Sequence, residues 1–210
     1  MKKRKSLAAA LTMLAAFVIW TIAVVRIDVQ PIGPMESQVG FAALNGFFHE
    51  WTGVHWPLYI LTDWLSLVPA CAGLAFAMLG LVQWISRKSL RKVDRSLLAL
   101  GGFYVLVGAA YLFFEQYPIN FRPVLIEGML EASYPSSTTL LVLTLMPTAA
   151  MQLRTRLKNP SLQRAATIVM GVFTALVVIA RLLSGVHWLT DIIGGMLLST
   201  SLVLLYQTIA

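Results

Sequence analysis

Six stretches of the chain, at 7–25, 58–85, 97–114, 138–153, 165–183 and 189–206, run almost free of charge. Each approaches or exceeds the roughly 20 apolar residues a helix needs to cross the hydrocarbon of a bilayer. Lipid offers no hydrogen-bond partners, so a spanning run must satisfy its own backbone, and a helix does this. A closed barrel would instead show short alternating segments. The predicted fold is all-α: a polytopic membrane protein, a six-transmembrane-helix bundle with both termini cytoplasmic, forming one membrane-embedded domain over 1–210. Composition agrees, with 58% hydrophobic and 12% charged residues, too little polar surface to cover a water-soluble domain.

A formal net charge of +7 raises the question of nucleic acid, and the positions of the charges answer it. Lys2, Lys3, Arg4 and Lys5 precede the first run. Arg87, Lys88, Arg91, Lys92 and Arg95 fill the loop after the second, and Arg154, Arg156, Lys158 and Arg164 the loop after the fourth. These loops share one side of a six-span chain, which the positive-inside rule makes cytoplasmic. The basic balance is therefore topology, and no nucleic-acid partner is expected. The first run is longer than a signal-peptide core and reads as an uncleaved anchor. The lone Cys71 excludes an internal disulfide and reads as a small packing residue.

Arg26, Arg122 and Arg181 are the basic residues left for the opposite side, where eight of the nine acidic residues also fall. Two longer segments lie there. In residues 26–57, the mixed aromatic and polar stretch at 39–51 predicts a helix lying in the interface, with Trp51 and Trp56 as belt residues. Residues 115–137 read as an extended start, a short helix opened by Pro123, then a break at Pro135. The tetrapeptide Gly-Val-His-Trp occurs at 53–56 and again at 185–188. Its flanks do not match, and the repetition reads as coincidence.

The stretch RLLSGVHWLTD, residues 181–191, gathers Arg181, His187 and Asp191. A helix starting near Gly185 would put His187 and Asp191 four apart on one face. The carboxylate could then hold one imidazole nitrogen and leave the other free as nucleophile or base. A buried ion pair would explain the three residues equally well by themselves. The segment NFRPVLIEG adds Arg122, and Pro135, Ser136 and Ser137 lead into a helix N-terminus, where free N–H groups favour an anion. Together these describe a phosphate pocket.

At this point the chain resembles the type 2 phosphatidic acid phosphatases, lipid phosphate phosphatases whose pocket is shared with vanadium haloperoxidases. Their signature is Lys-x6-Arg-Pro, then Pro-Ser-Gly-His, then Ser-Arg-x5-His-x3-Asp. Here the third part reads Ala180, Arg181, five residues, His187, three residues, Asp191. The first keeps Arg122 and Pro123, and the second Pro135 and Ser136. The resemblance implies dephosphorylation of a lipid phosphate at the membrane's outer face, with no cofactor and no metal. His187 would form a phosphohistidine and Asp191 would orient it. Arg122, Arg181, Ser136 and Ser137 would hold the phosphoryl oxygens. A lipid phosphotransferase and a non-catalytic, regulatory lipid-phosphate-binding protein are the alternatives.

Two departures carry chemistry. Glu115 stands where the family has lysine, and Thr138 where it has the histidine that protonates the leaving group, with Ser137 at the glycine position. Losing a general acid costs about 10²–10⁴-fold, less for a leaving group that needs no proton. A phosphate, whose second ionisation lies at about pH 6, leaves more readily than an alkoxide, so among lipid phosphates and diphosphates a prenyl or other lipid diphosphate is expected to be favoured over a simple phosphatidate. A replacement acid could come from Glu127 and Glu131, four apart on the helix expected after Pro123, or from His49, Glu50 and His55. A solvated face is the plainer reading of these residues. Asp63, a turn or two into the second span, should have a partner among Arg26, Arg181 and His55.

Overall fold

The structure, a computed structural model, describes residues 2–209. Its helices are α1 (Lys2–Arg26), α2 (Ala42–Thr52), α3 (Trp56–Leu65), α4 (Leu67–Arg87), α5 (Arg95–Gln116), α6 (Ser137–Arg156), α7 (Pro160–Leu183) and α8 (Leu189–Ile209), with single 3₁₀ turns at Pro34–Glu36 and Leu90–Lys92. Only isolated bridges represent β structure among the described residues. Five helical segments are long and apolar enough to cross a membrane: Lys3–Arg26, Trp56–Arg87, Arg95–Gln116, Pro160–Leu183 and Leu189–Ile209. The protein is an all-α polytopic membrane protein.

Of the six expected spans, the one at 138–153 lies in α6, which falls short of that apolarity. It is the central helix, packed against α4, α5, α7 and α8, so its surface meets protein instead of lipid. Thr144 and Thr148 are wholly buried, and their hydroxyls donate to the carbonyls four residues back, at 2.6 and 2.7 Å. A threonine satisfied in this way packs closely against neighbouring helices without an orphaned hydroxyl.

Local chemistry explains where the helices begin. Asn159 caps α7, its Oδ1 accepting from the N–H of Ser161 at 2.9 Å and of Leu162 at 3.4 Å, with Pro160 in the first turn. Ser136 caps α6, accepting from the Thr139 N–H. The second span is divided between α3 and α4 at Ser66. Pro69, three residues beyond, has no N–H to return to the preceding turn. The interfacial helix expected at 39–51 is α2, with Phe47 and Trp51 each 70% exposed. Cys71 does not pack as expected: it is exposed on α4, on a surface that lipid would cover.

α1 runs antiparallel to α8. The Ser6 hydroxyl donates to the Leu204 carbonyl near one end, and the Trp20 indole donates to the Thr190 carbonyl near the other. The basic loops 87–95 and 154–164 therefore share one end of the bundle, the basic end. The α1–α2 segment, the α5–α6 segment and the start of α8 share the other, the site end. The two Gly-Val-His-Trp copies meet there: the His55 N–H donates to the Ser184 carbonyl at 2.9 Å. Gly185 has φ +70°, and a Cβ on it would lie 1.9 Å from the Gly53 oxygen. The copies form a backbone seam that their mismatched flanks did not suggest.

Candidate functional site

His187 lies in the short link between α7 and α8, one residue before the helix cap and not within the helix as expected. The reason is local. α8 starts at Leu189, and Asp191, in its first turn, turns its carboxylate back to accept the Trp188 N–H at 3.0 Å, which satisfies a donor the helix cannot. The same Oδ2 lies 3.5 Å from His187 Nδ1, so the pairing inferred from spacing is present although the shared helix face is absent. Asn120 donates to the other oxygen at 3.3 Å. The α8 start is held from the first half of the chain as well. Buried Asn45 of α2 donates to Thr190 Oγ1 at 3.0 Å and accepts from the Thr190 N–H at 3.3 Å.

Arg122 comes from the α5–α6 segment, 65 residues before His187 in sequence, and its Nη1 donates to His187 Nε2 at 3.4 Å. With Nε2 accepting, the ring proton sits on Nδ1, facing Asp191. Arg122 Nε lies 3.0 Å from Glu131 Oε2. Arg181, at the end of α7, is 1% exposed. Its Nη1 donates to Thr62 Oγ1 at 3.1 Å, and its Nε has no partner within the protein. Ser136 is fully buried. Its own N–H is used on the Asp191 carbonyl at 3.1 Å, which leaves the main-chain donors of Ser137 and Thr138 at the α6 start. Thr138 is buried, and the adjacent Thr139 hydroxyl is buried without a partner. Orphaned buried polar atoms are costly in a fold and uncommon. The unpartnered Arg181 Nε, the second guanidinium on Arg122 and the free N–H donors at the α6 start are groups suited to an anion.

The electrostatics agree. Burial first, then the positive charges of Arg122 and Arg181, hold His187 well below its ordinary 6.5. The imidazole is therefore neutral at neutral pH, with Nε2 as the atom presented to the arginines.

The other expected residues fare differently. The short helix after Pro123 is absent. Phe121 bridges Ala132 and Ile126 bridges Met129, around a two-residue turn in which Glu127 and Gly128 take φ +50° and +79°. A Glu-Gly pair that bends the chain this way makes a hairpin turn, so Glu127 and Glu131 do not share a helix face. Glu127 is exposed at the tip, and Glu131 serves Arg122. Asp63 is exposed and forms no ion pair with Arg26, Arg181 or His55 among the described residues. Glu50, Glu115 and His55 are exposed. His49 is half-buried, its ring centroid 5.5 Å from that of Trp188, and burial lowers its pKa. Tyr59 and Thr62 of α3 touch the arginines and escaped the sequence reading, because they belong to no contiguous motif. The described residues contain no cluster of three or more His, Cys, Asp or Glu suited to a metal ion.

No curated protein matches the chain. Its fold is similar to the crystal structure of the first transmembrane PAP2 type phosphatidylglycerolphosphate phosphatase from Bacillus subtilis, with TM-score 0.58 and 19% identity over 95% of this chain and 93% of that one. The family model described as the PAP2 superfamily matches residues 112–210, the stretch that carries Arg122, Ser136, Arg181, His187 and Asp191. The segment 112–210 of this protein belongs to the PAP2 superfamily, and the chain as a whole shares the fold of that phosphatase.

Proposed function

We propose that the protein is a membrane lipid phosphatase that works without a metal, through a phosphohistidine, on the face of the membrane opposite its basic loops. The observation that carries the reading is the convergence of Arg122 on His187 Nε2 at 3.4 Å, with Arg181 buried nearby and Asp191 behind the other ring nitrogen. The family and the similar phosphatidylglycerolphosphate phosphatase fold support the substrate class, a lipid phosphate. The positive-inside rule supports six spans, cytoplasmic termini and an extracytoplasmic site.

In the proposed reaction the Nε2 lone pair attacks phosphorus while the bond from phosphorus to the leaving oxygen breaks, and that oxygen carries away the electron pair. Arg122, Arg181 and the N–H groups of Ser137 and Thr138 hold the remaining phosphoryl oxygens as charge redistributes. Asp191 stabilises the ring as Nδ1–H becomes part of a cation. Water then attacks the phosphohistidine and releases inorganic phosphate. Fixed donors in a dry pocket supply most of the rate. Thr138 is a poor acid where a proton donor would serve an alkoxide, which supports a preference for diphosphates such as prenyl diphosphates over phosphatidate.

The test is phosphate release by detergent-purified protein from a panel of lipid mono- and diphosphates in the presence of chelator, beside His187→Ala. The reading expects turnover that survives chelation, disappears in the variant and is fastest on diphosphates. Equal or faster monoester turnover removes the diphosphate preference. Phosphate binding without turnover by any lipid would make the protein a binding relic.

A further inference from the structure

We infer that Tyr59 is a positioning residue of this site, its ring acting as the surface that sets where the two phosphate-binding guanidinium groups stand. The inference rests on the phosphatase reading for its substrate, and on geometry for the rest. The Arg181 guanidinium carbon lies over the Tyr59 ring at 4.9 Å from the centroid, and that of Arg122 lies over the same ring at 5.9 Å. Two like charges drawn into one buried pocket repel, and the electron-rich face of an aromatic ring attracts both.

One helix supplies the support for Arg181. Thr62 lies three residues beyond Tyr59, one turn along α3, and its hydroxyl oxygen accepts from Arg181 Nη1 at 3.1 Å. The Tyr59 carbonyl accepts from the same nitrogen at 3.5 Å. One edge of the guanidinium fork is thereby tied to α3, and Nε is left for a ligand. The register between α3 and α7 is itself fixed by main chain, because the His55 N–H donates to the Ser184 carbonyl at 2.9 Å. The Tyr59 hydroxyl makes no hydrogen bond among the described residues, so the ring face carries the function. The part of the chain ahead of the matched family segment thus contributes to the site by aiming groups that the family segment supplies.

The experiment measures orthovanadate binding, by thermal shift of the purified full chain, together with kcat and KM on the best lipid substrate, for wild type and for Tyr59→Phe, Tyr59→Met and Thr62→Val. Tyr59→Phe keeps the face and should stay within about threefold of wild type in every readout. Tyr59→Met fills similar space without a π face. It should weaken vanadate about tenfold and lower kcat by a similar factor, with KM changed less than about threefold, since a misplaced fork fails the transition state more than the ground state. Wild-type vanadate affinity in Tyr59→Met, or Tyr59→Phe damaged as badly as Tyr59→Met, would overturn the inference. If Tyr59→Met does not fold, Thr62→Val decides. It leaves the ring in place and should weaken vanadate about threefold, while unchanged affinity means that α3 does not steer Arg181. Vanadate binding needs no turnover, so an inactive wild type that still binds vanadate would sink the phosphatase reading and leave this test standing. A wild type that binds no vanadate would overturn both.

Discussion

At the basic end, Asp94 faces Arg87 at 3.1 Å and Arg156 at 3.8 Å and accepts from Gln83 at 2.8 Å. Nearby, Gln152 donates to the Tyr206 hydroxyl and the Ser96 carbonyl and accepts from Arg156. At the site end, two arginines, a histidine and a helix N-terminus stand together, yet Arg181 Nε and Thr139 Oγ1 lack hydrogen-bond partners. Both ends gather charge beneath similar apolar helices. One spends its donors and acceptors on itself, as a structural network does. The other keeps buried donors unspent, which is costly for stability and is found where a ligand completes the set.

If that contrast is right, substitutions should separate activity from stability according to the end they touch. The largest effect expected is at His187: His187→Ala should lower kcat by about 10³-fold or more, with the unfolding temperature little changed. Phosphate release and a thermal melt on the same sample would check it. Next, Arg181→Lys or Arg122→Lys should each cost about 10²-fold in kcat/KM, because an ammonium cannot reproduce the planar fork. The matched substitution Arg156→Lys at the basic end should leave kcat/KM within about twofold. A comparable loss from Arg156→Lys would erase the distinction between the ends.

The reverse experiment is Gln152→Leu, which strands the Tyr206 hydroxyl and should lower stability by roughly 1–3 kcal/mol with kcat/KM intact, as measured by thermal or denaturant unfolding beside the assay. The pH dependence sharpens the comparison further. Since burial and the two arginines depress the His187 pKa well below 6.5, the neutral ring that the proposed mechanism requires persists as pH falls through that value. The acid limb of kcat/KM should lie distinctly below 6.5, and a limb at or above it would contradict the described environment. The unfolded chain takes up its histidine proton near 6.5 while the folded one does not, so this residue also makes acidification below 6.5 destabilising. The smallest effect belongs to Glu127→Gln, at the exposed hairpin tip, which should change neither activity nor stability measurably. A large loss would revive that carboxyl as a proton donor.

How much of this was legible in the amino-acid string follows from where the information lies. The apolar runs announce helices because lipid leaves the backbone no alternative. Arg181, His187 and Asp191 stand out together because all three lie within eleven residues, and Arg122 stands out because a proline follows it. The segment at 123–131 was misread because proline at a helix start and a Glu-Gly turn compete over the same few residues, and the turn prevailed. The spacing brings His187 and Asp191 together by a route the sequence does not show, since a cap and not a shared helix face places them side by side. Tyr59 and Thr62 were invisible because nothing local marks them: their significance comes from lying against Arg181, about 120 positions downstream. The role of α6 as the central helix was hidden by the same threonines that suit it to protein neighbours.

The meeting of Gly53 with Gly185 has a consequence for how such a chain can change over time. A joint made of main chain asks its two sides for a path and tolerates almost any side-chain vocabulary around it, provided position 185 stays bare. The seam itself therefore constrains the upstream half in shape and not in side chains, leaving that constraint to residues such as Asn45, Tyr59 and Thr62 that touch the site. An added methyl at residue 185 would push apart the link that carries His187 and the start of α3 that carries Tyr59.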